Sequence, residues 1–393
     1  MYFDPSRLAG TAAIALRAVV AIPARNEAHH LPACLWALAD QRTPFGALLT
    51  APLFEVIIFA NDCFDGTTER ARALAPELPF GLTVVEGRLP SGAAHAGEAR
   101  RMAMDLALGR LEAIDAARSV ILTTDADSRV PPNWIDGNLA AIDAGADAVL
   151  GRLALDEDGR DLPEALHRRG TLESEYEALH TEVFATLDPV SHNPWPHHST
   201  ISGASVAVTA EAYRRIGGLP RVALGEDKAL VAALLHCDAR VRFDNAIEVV
   251  TSARLKGRAI GGVADTLRRR ARFPDSSCDD ALESYRAAEM RARWRGRLRR
   301  LWATKDAAPV RALAEGLAIP TLEAQRMADE QAFGGAWAIA EQTSPLLRRR
   351  LLRPSDLPRE IAAAREGLSR LKSRALRDRR RPRDRSWRSL AGT

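Results

Sequence analysis

"RAVVAIPARNEAHHLPACLWALADQ", Arg17–Gln41, reads as a strand, a polar loop and a helix in immediate succession. Val19–Ile22 is apolar at consecutive positions, as a strand buried on both faces requires. Leu31, Leu35 and Leu38 then recur at helical spacing, with Pro32 tolerated in the first turn. The same order returns in "FEVIIFANDCFDGTTERARALA", Phe54–Ala75. There Val56–Phe59 is a strand, Asn61–Gly66 a polar loop, and Thr67 or Thr68 is expected to cap the next helix. "GLTVVEGRL" (Gly81–Leu89) gives a third strand. "HAGEARRMAMDLALGRLEAI" (His95–Ile114) gives a helix with Ala99, Met102, Leu106 and Leu111 near one face. "SVILTTDADS" (Ser119–Ser128) is a fourth strand, and Pro131–Pro132 open a helix carrying Trp134, Ile135, Leu139 and Ile142. "DAVLGRLAL" (Asp147–Leu155) is a fifth strand.

Strand and helix alternate through Leu155, which predicts an α/β fold with a mainly parallel sheet and helices on both faces. In such sheets ligands bind beyond the carboxyl ends of the strands. The polar loops Pro23–Glu27, Asn61–Asp65 and Asp125–Ser128 all fall at those ends.

After Asp156 the pattern changes. Residues to Asp188 read as a charged helix with Tyr176, Leu179 and Val183 as its apolar stripe. "SHNPWPHHSTISGAS" (Ser191–Ser205) reads as an irregular loop. A strand and a helix opened by Thr209 follow, stopped at Gly217–Gly218. Next come a helix after Gly225 and two separate strand readings, "VRF" and "AIEVVTS". From about Pro274 the chain is Arg-rich and helical, with no strand candidate. The expected organisation is residues 1–270 as the α/β domain, split into halves 18–155 and 156–270, and 271–393 as a helical extension.

The chain has 393 residues, 46% hydrophobic and 27% charged, which suits a soluble globular protein with a large core. Cys34, Cys63, Cys237 and Cys278 are scattered and form no C-x-x-C pair. Cys34 and Cys237 are expected core thiols, and the expected compartment is the reducing cytoplasm. No apolar run approaches the ~20 residues that span a bilayer. The net charge is +4, yet Ser344–Thr393 alone carries 16 Lys and Arg against 5 Asp and Glu. That tail is either a solvated, partly disordered segment or a peripheral contact with an anionic membrane face. Few aromatics accompany it, so no nucleic acid is expected.

Asp125 and Asp127 flank one residue at a strand end. They form either a turn closed by side-chain hydrogen bonds or an oxygen site for a hard cation such as Mg²⁺ or Mn²⁺. Their place beside two other polar loops favours the cation. Glu226–Asp227 open a helix, where acidic residues are favourable for the helix dipole alone or serve as a base. His197 and His198 are open to three readings: acceptor contact, metal ligand or loop structure. Trp195 stacks on an acceptor or anchors the loop. Arg254, Lys256 and Arg258 either neutralise a diphosphate or form a solvated basic loop.

In order and spacing, "AIPARNE", "ANDCFDGTTERA", "GEARRMA", "TTDADS", "SGASVAVTAEAYRRIGGLP" and "GEDKAL" resemble the family 2 glycosyltransferases of the GT-A (Rossmann-like) fold, from Ala18 to Gly262. The resemblance implies inverting, metal-dependent transfer of a sugar from a nucleotide-diphospho-sugar, a UDP-sugar by default, to an acceptor it leaves unidentified. It places Pro23, Ala24, Arg25 and Glu27 under the base and ribose, Asp62 on the base, and Arg100 near the nucleotide. It gives Asp125 and Asp127 the ribose and the Mn²⁺ or Mg²⁺, with Asp127 nearer the metal, and makes Asp227 the general base beside Glu226. The chain departs from the processive membrane-embedded members, since "TSARLKGRAIGG" lacks their Gln-x-x-Arg-Trp segment. A sugar nucleotidyltransferase would carry glycine in the first loop, and "IPARNEAHHLP" has none. A dinucleotide oxidoreductase would carry G-x-G-x-x-G. The alternative from a different class is a catalytically silent nucleotide-sugar-binding or scaffold protein on the same fold.

Overall fold

A computed structural model of the chain describes residues 16–90, 95–114, 118–156, 163–254, 262–304 and 309–380. An eight-stranded sheet forms its centre. The first four strands by position are β1 (Ala18–Ala24), β2 (Phe54–Asn61), β3 (Gly81–Gly87) and β4 (Val120–Thr123). The others are β5 (Ser128–Arg129), β6 (Ala148–Asp156), β7 (Val206–Thr209) and β8 (Val241–Ser252). They stand in the order β3-β2-β1-β4-β7-β6-β8-β5. β3, β2, β1 and β4 pair in parallel, as do β6 and β8.

Apolar runs become strands here because both faces are covered. Along β1, Ala18, Val20, Ile22 and Ala24 face one core while Val19 and Ala21 face the other. The first core receives α1 (Leu31–Ala39) and α4 (Trp134–Asp143) through Leu31, Leu35, Leu38, Trp134 and Ile135. The second receives α3 (Ala96–Glu112), α6 (Ala210–Arg215) and α7 (Glu226–His236) through Ala103, Met104, Tyr213, Leu230 and Leu234.

Three features differ from the sequence reading. β7 runs antiparallel between β4 and β6, so the fifth strand is not the neighbour of the fourth. Because Val206 pairs with Thr123, the residues just before β7 are delivered to the carboxyl end of β4. The "VRF" and "AIEVVTS" readings are one strand, β8. Its register against β6 shifts between Gly151 and Arg152, leaving unpaired residues that break the sequence pattern. Gly151 allows that crowding, since a Cβ there would lie 2.4 Å from Ser205 Oγ. Finally, Ser128–Arg129, read as loop, adds a short antiparallel edge to β8. β7 and β5 alone oppose the common strand direction.

The second helix, α2 (Thr67–Leu74), has Gly66 at its cap with no side-chain bond, so neither threonine caps it. Thr67 Oγ1 instead accepts the Glu27 amide at 2.8 Å and donates to Asp65. Thr209 does cap α6, accepting from Ala212 N at 3.1 Å. Cys34 is buried, whereas Cys237, at the end of α7, is half-buried rather than a core thiol.

From α8 onward the described regular elements are all helical: α8 (Val263–Arg272), α9 (Tyr285–Thr304), α10 (Val310–Leu317), α11 (Thr321–Asp329), α12 (Phe333–Thr343) and α13 (Leu357–Arg380). α5 (Glu164–Leu187), from the α/β half, shares a core with α9 and α13 through Tyr176, Val183, Tyr285, Ala292 and Leu368. Arg299 forks onto Asp188 at 2.7 and 2.9 Å, tying α9 to the end of α5. α12 docks on α7: the amides of Phe333 and Gly334 donate to Asp238 at 2.8 and 2.7 Å. The extension thereby buttresses the helix that begins with Glu226–Asp227. No helix among the described residues is long and apolar enough to cross a membrane.

Candidate active site

The loop after β1 and the loop after β2 are stitched into one platform. Asn26 and Asp62 both adopt left-handed backbone (φ 54° and 53°), a conformation that Asn and Asp tolerate best among side-chain-bearing residues. Asn26 Oδ1 accepts the Phe64 amide at 2.9 Å, and Asp65 Oδ2 accepts the Ala28 amide at 3.0 Å. Asp62 stays partly exposed, with Arg88 Nε at 3.0 Å and Arg25 Nη2 at 3.9 Å. Pro23 and Ala24 complete β1 beneath this platform.

At the end of β4, two arginines reach the two aspartates. Arg100, on α3, is buried. It donates to Asp125 Oδ1 at 2.6 Å, Thr123 Oγ1 at 3.1 Å, the Gly203 carbonyl at 2.8 Å and Glu226 Oε1 at 3.3 Å. Burial alone would lower its pKa, but the charges of Asp125 and Glu226 outweigh that and raise it. Gly203 is required at this contact, because a Cβ would fall 2.5 Å from the guanidinium. Arg254, just past β8, forks onto Glu27 at 2.9 and 2.7 Å and also reaches Asp127 Oδ2 at 2.9 Å. The Glu27 bonds and the charge of Asp127 raise the Arg254 pKa.

Asp227 sits in the first turn of α7, after Gly225 with its left-handed φ of 72°. Its carboxylate accepts from Gly203 N at 3.2 Å and Lys228 N at 2.7 Å. Gly203 thus gives its carbonyl to Arg100 and takes its amide bond from Asp227, which joins the β4 end to the α7 start. Burial, aided by the charge of Glu226, raises the Asp227 carboxyl pKa, against the amides of Lys228 and Gly203 and the charge of Arg100. A carboxylate with a raised pKa is a better proton acceptor.

Asp127 is pushed up to about 6, first by burial and then by the charge of Asp125, with Arg254 acting against both. Four carboxylates, Asp125, Glu226, Glu27 and Asp127, face two arginines, Arg100 and Arg254, in these ion pairs, so negative charge is in excess here. No group of three or more His, Cys, Asp or Glu able to hold a metal occurs among the described residues. Two carboxylates with unbalanced charge nevertheless fit Mg²⁺ or Mn²⁺, which keep waters and complete their shells on substrate phosphates.

His197 and His198 find hydrogen-bond and ring partners in β6 and β8 and in their own loop. His198 Nε2 pairs with the Leu150 carbonyl at 3.1 Å, its ring meets Phe243 edge-on, and burial pushes its pKa down to about 4. His197 Nδ1 is 2.9 Å from the His198 carbonyl and contacts Trp195 edge-on. Among the described residues, no hydrogen bond or ion pair joins either histidine to Asp125, Asp127 or Asp227. Arg258 and Lys256 lie outside the described residues, as do residues 381–393 of the basic tail.

Residues 19–203 match the family model described as glycosyl transferase family 2. The chain carries a glycosyl transferase family 2 domain. That match is to a glycosyltransferase family, and the sheet has the α/β architecture predicted from the sequence. The family match ends at Gly203, so Glu226, Asp227 and Arg254 lie beyond it and enter the site only through folding. No curated protein matches the chain. Among solved structures, S. aureus TarS 1-349 in complex with UDP-GlcNAc is similar at 15% identity, covering 83% of this chain and 91% of that one, with a TM-score of 0.42. The mannosyltransferase PcManGT from Pyrobaculum calidifontis, in complex with GDP-Man and Mn²⁺, is similar at 17% identity, covering 86% and 92%, with a TM-score of 0.40.

Sequence reading of this transferase domain missed Thr123 and Gly203 as partners of Arg100, and the Glu27–Arg254 fork. Glu27 and Arg254 are 227 positions apart, and no local pattern marks such a pair.

Proposed function

We propose that the chain transfers a sugar, with inversion, from a nucleotide-diphospho-sugar to an acceptor hydroxyl. Asp127 and Asp125 would hold Mn²⁺ or Mg²⁺, which supplies Lewis-acid polarisation of the diphosphate leaving group when bound. Asp62, with Arg25 and the Pro23–Glu27 loop, forms the nucleotide end. Arg254 offers a planar fork of donors to phosphate oxygens. Asp227 takes the acceptor proton, and its raised pKa suits that role. Arg100 is buried, and its bonds orient Asp125 and the start of α7. A UDP-sugar is the default donor.

The observation that carries this reading is the chain Asp125–Arg100–Gly203–Asp227. It joins the carboxylate proposed for the metal to the proposed base, residues far apart in the sequence, through one hydrogen-bonded network. The direct test is turnover of UDP-, GDP- and dTDP-sugars with Mn²⁺ and with EDTA. Release of nucleoside diphosphate with Mn²⁺ and its loss with EDTA are expected. Failure to bind or turn over any nucleotide sugar with Mn²⁺ would leave the silent-scaffold alternative standing instead.

A further inference from the structure

We infer that Arg254 is an exchangeable cation. In the donor-free protein it holds the place of the divalent ion on Asp127, and it passes to the diphosphate when metal and donor arrive together. This rests on the metal-and-donor reading above.

The geometry carries it. Arg254 Nη2 is shared between Glu27 Oε1 at 2.7 Å and Asp127 Oδ2 at 2.9 Å, while Nη1 meets Glu27 Oε2 at 2.9 Å. A divalent ion such as Mg²⁺ sits about 2.0–2.1 Å from its carboxylate oxygen, so on Asp127 it would stand close against the guanidinium. Both side chains are withdrawn from water, Asp127 at 16% and Arg254 at 19% exposure, so solvent screens little of the repulsion between two cations there.

Arg254 is also free to leave in a way that Arg100 is not. Arg100 is caged by a hydroxyl, a carbonyl and two carboxylates, and Gly203 leaves no space around it. The bonds of Arg254 are to Glu27 and Asp127. On release from Asp127 it keeps the fork to Glu27 as a tether at the mouth of the donor site. The Nη2 donor that Asp127 releases can then meet a phosphate oxygen, which binds a guanidinium as a carboxylate oxygen does. Metal and diphosphate should therefore bind together far better than either binds alone, and the coupling must be reciprocal.

The test is Mn²⁺ affinity, by calorimetry or by the electron paramagnetic resonance of free Mn²⁺. It compares the unaltered chain, Arg254→Met and Arg254→Lys, with Mn²⁺ alone and with UDP, GDP or dTDP added. The unaltered chain is expected to bind Mn²⁺ weakly alone and roughly tenfold or more tighter with the nucleotide it accepts. Arg254→Met is expected to bind Mn²⁺ alone about threefold or more tighter than the unaltered chain, while the enhancement by nucleotide shrinks. Arg254→Lys, which cannot fork, should move the same way by less; it carries the comparison if the methionine variant does not fold. Unchanged or weaker Mn²⁺ binding in both variants, with the nucleotide enhancement intact, overturns the role of Arg254 alone. Absence of Mn²⁺ binding in every protein and condition overturns both this role and the metal-dependent reading.

Discussion

Asp125 and Asp127 stand one residue apart, and each is gripped by an arginine, yet the two grips differ in kind. Arg100 is 6% exposed and anchored on four partners drawn from β4, the residues before β7, and α7. Arg254 is 19% exposed, is held by carboxylates, and sits in the chain's exit from β8. The first pair fixes where Asp125 and the start of α7 stand. The second is, in the account proposed above, a charge balance that a substrate can replace. On that account one short acidic motif carries a rigid member and a responsive one.

The largest expected effect belongs to the rigid pair. Arg100→Met leaves Asp125, Glu226 and the Gly203 carbonyl without their buried donor. Breaking such a buried pair costs roughly 3–5 kcal/mol. Denaturant unfolding should show that loss, while Arg254→Met should lose less than half as much. Equal losses would erase the distinction between the two arginines. Arg100→Lys should recover part of the stability but little transfer, because one ammonium cannot serve four partners set in a fork.

The next effect has the opposite sign on the two aspartates. The pKa of Asp127 in the folded chain is about 6, above the ~3.9 of a free aspartate. The folded state therefore holds that proton more tightly than the unfolded state. The stability it contributes is fully present below about pH 4 and is lost as pH rises through about 6. Asp127→Asn removes the charge, so the metal-free protein should gain up to roughly 3 kcal/mol at pH 7.5. The gain should vanish toward pH 4. Asp125→Asn should destabilise at pH 7.5, because Arg100 loses its charged partner. Unfolding curves in EDTA at both pH values decide this, and a stabilised Asp125→Asn would break the comparison.

Much of this was legible in the sequence, for physical reasons that stop at identifiable residues. Val19–Ile22 and Val56–Phe59 announced themselves because strands covered on both faces must be continuously apolar. The acidic turn after β4 stood out because aspartates rarely follow a buried strand for packing alone. β7 could not be placed, since Val206–Thr209 reads the same whether it runs with its neighbours or against them. β8 was read as two pieces because the shift at Gly151/Arg152 interrupts its pattern. Arg100 was singled out through the family resemblance, but its burial beneath Gly203 was not legible, since it depends on a residue 103 positions away. Arg254 read either as a neutraliser of diphosphate or as part of a solvated basic loop, and its engagement with Glu27 and Asp127 was invisible.

The measurement that bears most directly on the site as a whole is a paired one on Asp127→Ala and Asp227→Asn. Donor affinity with Mn²⁺ is measured by calorimetry and transfer by release of nucleoside diphosphate. Asp127→Ala should lose transfer and weaken Mn²⁺-dependent donor binding. Asp227→Asn should bind the donor as the unaltered chain does and lose transfer by roughly 10²–10⁴-fold, the usual worth of a general base. Normal turnover by Asp127→Ala, or equal loss of binding and transfer in Asp227→Asn, would contradict the division of labour between the metal-binding turn and the base on α7.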